Sequence, residues 1–168
     1  DMGNWLYTKD LNIQADTEQA KQILLNDGWI QTNNTWNKKI NGQNIRLSFI
    51  LTVPNNSQER IRVAENLKEQ FASFGIPVTV KQVSIENYYN ILNNKQYEVV
   101  LTGVQTGFSP NLETFFGNGN IANYQNQEVS EIINTVKNTS EENILYEKYS
   151  RLYDIYLEEA PYIGLYRN

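Results

Sequence analysis

Hydrophobic and polar positions along the chain switch between a period near 3.6 and a period of two, and these switches mark out helices and strands. The first predicted helix covers about 17–27: Asp16 precedes it with Gln19 in the capping-box position, Gly28 closes it, and Ala20, Ile23 and Leu24 share one side. The stretch 35–40, then Asn41-Gly42, then Gln43 onward reads as a hairpin, because the two central residues suit the positive φ values of a type I′ turn. The return strand is expected to be long. Ile45, Leu47, Phe49, Leu51 and Val53 alternate with Arg46, Ser48, Ile50 and Thr52 until Pro54-Asn55-Asn56 breaks the pattern. Ser57 caps a predicted helix over 58–74, with Ile61, Ala64, Leu67, Phe71 and Phe74 at three- and four-residue steps and Gly75 at its end. Arg60, Arg62, Glu65, Lys68 and Glu69 cover its other side and read as a solvated face.

A strand over 76–83, a helix from Ser84 through about 93 and a nearly continuous apolar strand over 97–104 complete a β-α-β-α-β order. An apolar strand after a crossover helix is expected to be buried on both faces of a partly parallel sheet, so the fold class is α/β, a mixed sheet flanked by helices. Two further helices are predicted, over 128–137 and over 140–159, the latter introduced by Thr139 with Glu142 at the box position. Tyr146, Tyr149, Tyr153 and Tyr156 form a stripe on the last helix that reads as half-buried core with hydroxyls at the boundary. Pro161 stops this helix, and 162–166 reads as a final strand.

Composition narrows the chemistry. The length of 168 residues accommodates one ordinary domain. Fourteen basic and 19 acidic residues leave a net charge of −5, which provides no electrostatic footprint for nucleic acid. The mean hydropathy is −0.56, and no apolar run approaches the roughly 20 residues of a membrane span. Cysteine and histidine are both absent, which excludes disulfides, thiolate metal sites, Cys-His and Ser-His-Asp catalysis and the HExxH metal motif. Only carboxylate catalysis remains, and Glu141-Glu142 and Glu158-Glu159 sit where a helix first turn and a polar face account for them. No metal and no cofactor is expected. The 24 asparagines and 12 glutamines are scattered among periodic apolar segments, so they do not form a low-complexity tract. The sequence carries no signal-peptide pattern, so Asp1 reads as an internal boundary.

Two loops carry the candidate binding chemistry. Ligands of open α/β sheets gather beyond the carboxyl ends of parallel strands. That position follows the 97–104 strand and holds Val104, Gln105, Thr106, Gly107, Phe108, Ser109 and Asn111, an aromatic among hydrogen-bonding side chains. An ordinary surface loop is the competing reading. The second loop runs from Phe115-Phe116 through Gly117-Asn118-Gly119-Asn120 to Asn123-Tyr124, with Phe116 and Tyr124 as apolar walls and Asn118 and Asn123 as polar contacts. Its Gly-Asn-Gly lacks the spacing of a phosphate loop and also reads as a turn.

Taken in order, several segments resemble the family 5 bacterial extracellular solute-binding proteins, the oligopeptide- and dipeptide-binding subunits of ABC importers. They are AKQILLNDGW at 20–29, AENLKEQFASFGIPVTVKQVSIENYY at 64–89, YEVVLTG at 97–103, Asn123-Tyr124 with Glu128, and LYDIYLEEAPYIGL at 152–165. The resemblance implies one lobe of a type II periplasmic-binding-protein fold, the second, C-terminal lobe of a clamshell whose first lobe is not in this chain. It further implies a monomeric extracytoplasmic receptor, periplasmic or a lipoprotein at the cell surface, that binds peptides or similar small solutes between its lobes and delivers them to permease subunits. The loop after the 97–104 strand would face that cleft. Peptide binders of this family commonly follow a Gly-Trp pair with an aspartate that meets the peptide amino terminus. Here Gly103 is followed by Val104, and the acidic position falls near Gly107, with Glu113 the next carboxylate. The resemblance then implies a longer peptide held by its backbone, or a different solute.

Two other classes remain open from the residues alone. A carboxylate-dependent glycan hydrolase would need two acids converging on one cleft. A cell-surface interaction domain would present Phe108 or Phe115-Phe116 in an exposed apolar patch.

Overall fold

Asparagine turns shape the first sheet. The computed structural model describes residues 15–104 and 112–165, which fall into two compact units divided after Val104. In the first, α1 (Thr17–Asn26) begins as expected, with the Asp16 carboxylate accepting the Gln19 N–H at 2.8 Å. β1 (Ile30–Thr32), β2 (Thr35–Ile40) and β3 (Gln43–Arg46) form an antiparallel meander. Asn41 and Gly42, at φ 50° and 81°, make the expected turn. Asn33 and Asn34, at 50° and 58°, make a second one that joins β1 to β2. Asparagine enters this left-handed region because its short amide can bond to nearby backbone, so a tight turn forms without glycine.

The long return strand is a misreading: it is two strands in two sheets. β3 ends at Arg46, and β4 (Phe49–Pro54) pairs in parallel with β5 (Val78–Val83) on one side and β6 (Val99–Val100) on the other. The chain changes partners at Leu47 and Ser48. The Leu47 N–H still donates to the Trp36 carbonyl at 2.8 Å, whereas the Phe49 N–H donates to Pro77 beside β5. A period of two reports extended backbone and not which neighbour it pairs with.

The strand expected over 97–104 shrinks to Val99–Val100, extended by one bond from the Leu101 N–H to the Thr52 carbonyl. Among the described residues it is an edge, with Val99 39% exposed. The strand buried on both faces is β4: Leu51 and Val53 on one face and Thr52 on the other are all at most 3% exposed. α2 (Gln58–Ser73) and α3 (Ile85–Asn93) start on Ser57 and Ser84, whose hydroxyls accept the Arg60 and Asn87 N–H groups. Leu51, Val53 and Val78 pack with Ala64 of α2, while Val83 packs with Tyr88 and Ile91 of α3. Since side chains alternate along a strand, the two helices cover opposite faces of the parallel sheet. The molecule is α/β as expected, with its parallel and antiparallel strands in separate sheets.

Trp36 locks the meander to the end of α2. It is 2% exposed, its indole N–H donates to the Phe74 carbonyl at 2.8 Å, and its own N–H donates to Gly75. Gly75 stands at φ 94°, and a β-carbon there would lie 2.9 Å from the Asn34 carbonyl oxygen, so the position is closed to other residues twice over.

The second unit holds α4 (Glu113–Phe116), α5 (Gln127–Lys137) and α6 (Glu142–Glu159). Its core joins Val129, Ile132 and Ile133 of α5 to Leu152 and Ile155 of α6. Tyr149 packs against this core while Tyr146 is 46% exposed, so the tyrosine stripe is part core and part surface. α6 starts two residues later than expected. Thr139 does not cap it; its hydroxyl accepts the Glu141 N–H in a local turn, and Glu141 is the cap residue. Residues 162–165 are not a strand. Ala160 turns the chain into the left-handed region at φ 41°, and no strand edge among the described residues pairs with the segment after it.

Candidate functional site

At the carboxyl end of the parallel sheet, Pro54, Val83 and the segment after β6 lie where the strands give way to loops and helix N-termini. Tyr88, 2% exposed, donates its hydroxyl to the Leu101 carbonyl at 2.8 Å and so fixes the chain leaving β6. Burial pushes the Tyr88 phenol above its ordinary value, against the opposing influence of the Thr102 hydroxyl and the Arg60 charge. Arg60 is a further candidate that the sequence does not single out. The residue is half-buried, and its guanidinium lies beside Gly103, where an added β-carbon would meet it at 3.3 Å. The helical pattern around Arg60 records only its own helix, and its sequence-distant neighbour at the sheet edge leaves no local signal. Val104, half-buried, is the last described residue before the candidate loop; Gln105, Thr106, Gly107, Phe108, Ser109 and Asn111 lie outside the described residues.

In the second unit the loop between α4 and α5 brings four of the expected residues together. Phe116, Asn118, Asn123 and Tyr124 line one open concavity of about 450 Å³. Gly117 is buried and required there, because a β-carbon would lie 2.7 Å from the Glu113 carbonyl oxygen. Asn120, 5% exposed, was expected only as part of the turn and is its centre: its amide donates to the carbonyls of Gly117 and Tyr124 and accepts the Tyr124 N–H. Phe116 and Tyr124 meet edge to face at 6.0 Å, and both pack on the α5–α6 core. Phe115 meets the Tyr162 ring edge-on at 5.4 Å. The pair Phe115-Phe116 therefore packs inward and does not form the exposed patch that an interaction domain would use.

Several carboxylates in this unit are engaged by neighbours. Glu159 accepts the Tyr124 hydroxyl at 2.6 Å and the Asn126 amide at 2.9 Å. Burial first, and then the Glu159 carboxylate, push the Tyr124 phenol up to about 12. Glu128 takes a two-pronged bond from Arg151 at 2.7 and 2.9 Å, which holds its carboxyl below the ordinary carboxylate value. A hydrolase acid needs a carboxyl held protonated, and Glu128 is shifted the other way. Among the described residues no group of three or more Asp and Glu side chains is arranged to hold a metal, and no helix is long and apolar enough to cross a membrane.

Comparison with known proteins places this architecture. No curated protein sequence matches the chain. Among solved structures it is similar to the oligopeptide-binding protein AppA from Bacillus subtilis in complex with a nonapeptide, at 23% identity and a TM-score of 0.75 over 94% of this chain and 33% of that one. It is also similar to a mannohexaose-bound periplasmic oligopeptide-binding protein of an ABC transporter from Thermotoga maritima, at 19% identity and a TM-score of 0.79 over 95% of this chain and 32% of that one. NikZ from Campylobacter jejuni in complex with Ni(L-His) gives 20% identity and a TM-score of 0.76 over 94% and 33%. The chain thus spans about a third of the length of these solved relatives. The family model described as bacterial extracellular solute-binding proteins, family 5 Middle, matches residues 2–126, and the chain belongs to that family.

Proposed function

We propose that this chain is the C-terminal lobe of a substrate-binding protein serving an ABC importer, and that it holds a peptide or similar small solute against a first lobe of the same polypeptide. The family match over residues 2–126 carries this reading. The span of about a third of the solved relatives supports a chain that is one part of a longer receptor. The receptor works outside the cytoplasm, periplasmic or anchored at the cell surface as a lipoprotein, is monomeric, and passes its solute to permease subunits without chemistry of its own. Closure is a hinge motion in which solute contacts made from both lobes favour the closed state.

On this lobe the solute meets the loop that follows Val104, with Gln105, Thr106, Gly107, Phe108, Ser109 and Asn111. In the other unit, the loop bearing Phe116, Asn118, Asn123 and Tyr124 is a separate candidate for polar and aromatic contacts. Arg60, beside Gly103, supplies a positive charge at the edge of the first loop, suited to a carboxylate or another anionic group on the solute. With no acid near Gly107 to receive an ammonium, a longer peptide held along its backbone, or a solute that is not a peptide, fits these residues best. Mass spectrometry of small molecules that co-purify with the two-lobed polypeptide tests the reading. A bound peptide or comparable solute is expected. Preparations that carry none, and that bind none from a library of peptides and oligosaccharides, would overturn it.

A further inference from the structure

We propose that Tyr162 is a positioning residue for the loop of residues 117–124, and through it for Asn118 and Asn123; only the functional consequence rests on the reading that this loop meets solute. Asn120 holds the loop from inside, donating to the Gly117 carbonyl at 2.9 Å and the Tyr124 carbonyl at 2.7 Å and accepting the Tyr124 N–H at 3.0 Å. One hydroxyl holds it from outside. The Tyr162 O–H donates to Asn120 Oδ1 at 3.1 Å, and the phenol oxygen accepts the Ala122 N–H at 3.1 Å. Tyr162 belongs to the segment that leaves α6, beyond the left-handed turn at Ala160.

The ring of Tyr162 is seated edge-on against Phe115 at 5.4 Å and Phe116 at 6.2 Å, which sets where the hydroxyl sits. Asn118 and Asn123 are exposed and stand on either side of Asn120, the latter at φ 52°. Their placement depends on a backbone whose bonds converge on Asn120 and on the phenol. A half-buried N–H that loses its acceptor is costly, so without the phenol the loop moves to find another. The shape of the candidate site is in this way coupled to the segment after α6.

Tyr162→Phe keeps the ring and removes the hydroxyl alone. Backbone hydrogen exchange and side-chain amide resonances, recorded by NMR on the 168-residue chain without solute, test the assignment. Exchange at Ala122 and Tyr124 is expected to rise by about tenfold or more, with the Asn118 and Asn123 side-chain resonances shifted and the Ile132 and Leu152 amides unchanged. Unchanged exchange and resonances in the loop would overturn the proposal. So would an equal loss of protection throughout α5 and α6, which would make Tyr162 an ordinary core residue. Because no solute is present, failure of the transport reading leaves this result standing.

Discussion

Tyr124 shows how one side chain reports on its surroundings. Its phenol is raised to about 12 by burial and by Glu159, against an ordinary 10.0. A folded-state value above the unfolded one contributes stability that is fully present below pH 10 and is lost as pH rises through about 12. Alkaline absorbance titration should therefore show a late-ionising tyrosine, and Glu159→Gln should move it back toward 10. Gly75 makes a sharper steric claim: Gly75→Ala should lower stability by at least about 1–2 kcal/mol from the left-handed backbone alone, read by urea denaturation, with the Asn34 contact adding to it. For Arg60 the claim is functional. Arg60→Ala should weaken the two-lobed receptor's affinity for a carboxylate-bearing solute by about tenfold or more and leave a neutral solute of similar size unaffected. Arg60 was not legible as a candidate, because the charge pattern of its helix explains it equally well as solvated surface.

At the scale of elements, α5 and α6 are joined by their apolar seam and by the exposed Glu128–Arg151 pair. Glu128 is held below its ordinary 4.5 by the Arg151 bond, so its contribution is present above pH 4.5 and disappears as pH falls through the depressed value. Wild-type protein should lose stability on acidification in that window, and Glu128→Gln should flatten that part of the profile, as measured by thermal melts from pH 6 down to about pH 2. Local chemistry made most elements readable: Asp16, Ser57 and Ser84 cap the helices assigned to them, and Asn41-Gly42 turns the hairpin. The misread strands at 45–53 and 97–104 share one cause, dependence on a distant partner. The alternation from Ile45 to Val53 continues across a change of sheet, and the apolar run at 97–104 pairs with β4 only at Val99 and Val100 before one further bond. The turn at Asn33-Asn34 was missed for a different reason, since β1 is three residues long and its turn has no glycine.

The whole molecule is an α/β chain of the family 5 solute-binding proteins that spans about a third of its solved relatives. Its lack of histidine and cysteine excludes Cys-His and Ser-His-Asp catalysis. The second candidate loop was legible as composition, amide and aromatic side chains around glycines, and the structure joins Phe116, Asn118, Asn123 and Tyr124 at one concavity. The centre of that loop was not legible, because nothing local to Asn120 announces its bond to Tyr162. If solute is held by contacts from two lobes at once, one lobe alone forfeits half of them, and every 1.4 kcal/mol lost is about tenfold in affinity. Calorimetric titration of the solute recovered from the two-lobed receptor, into that receptor and into the 168-residue chain, tests this most directly. Tight binding by the receptor and affinity weaker than micromolar by the chain are expected, whereas micromolar or tighter binding by the chain alone would refute the two-lobe reading.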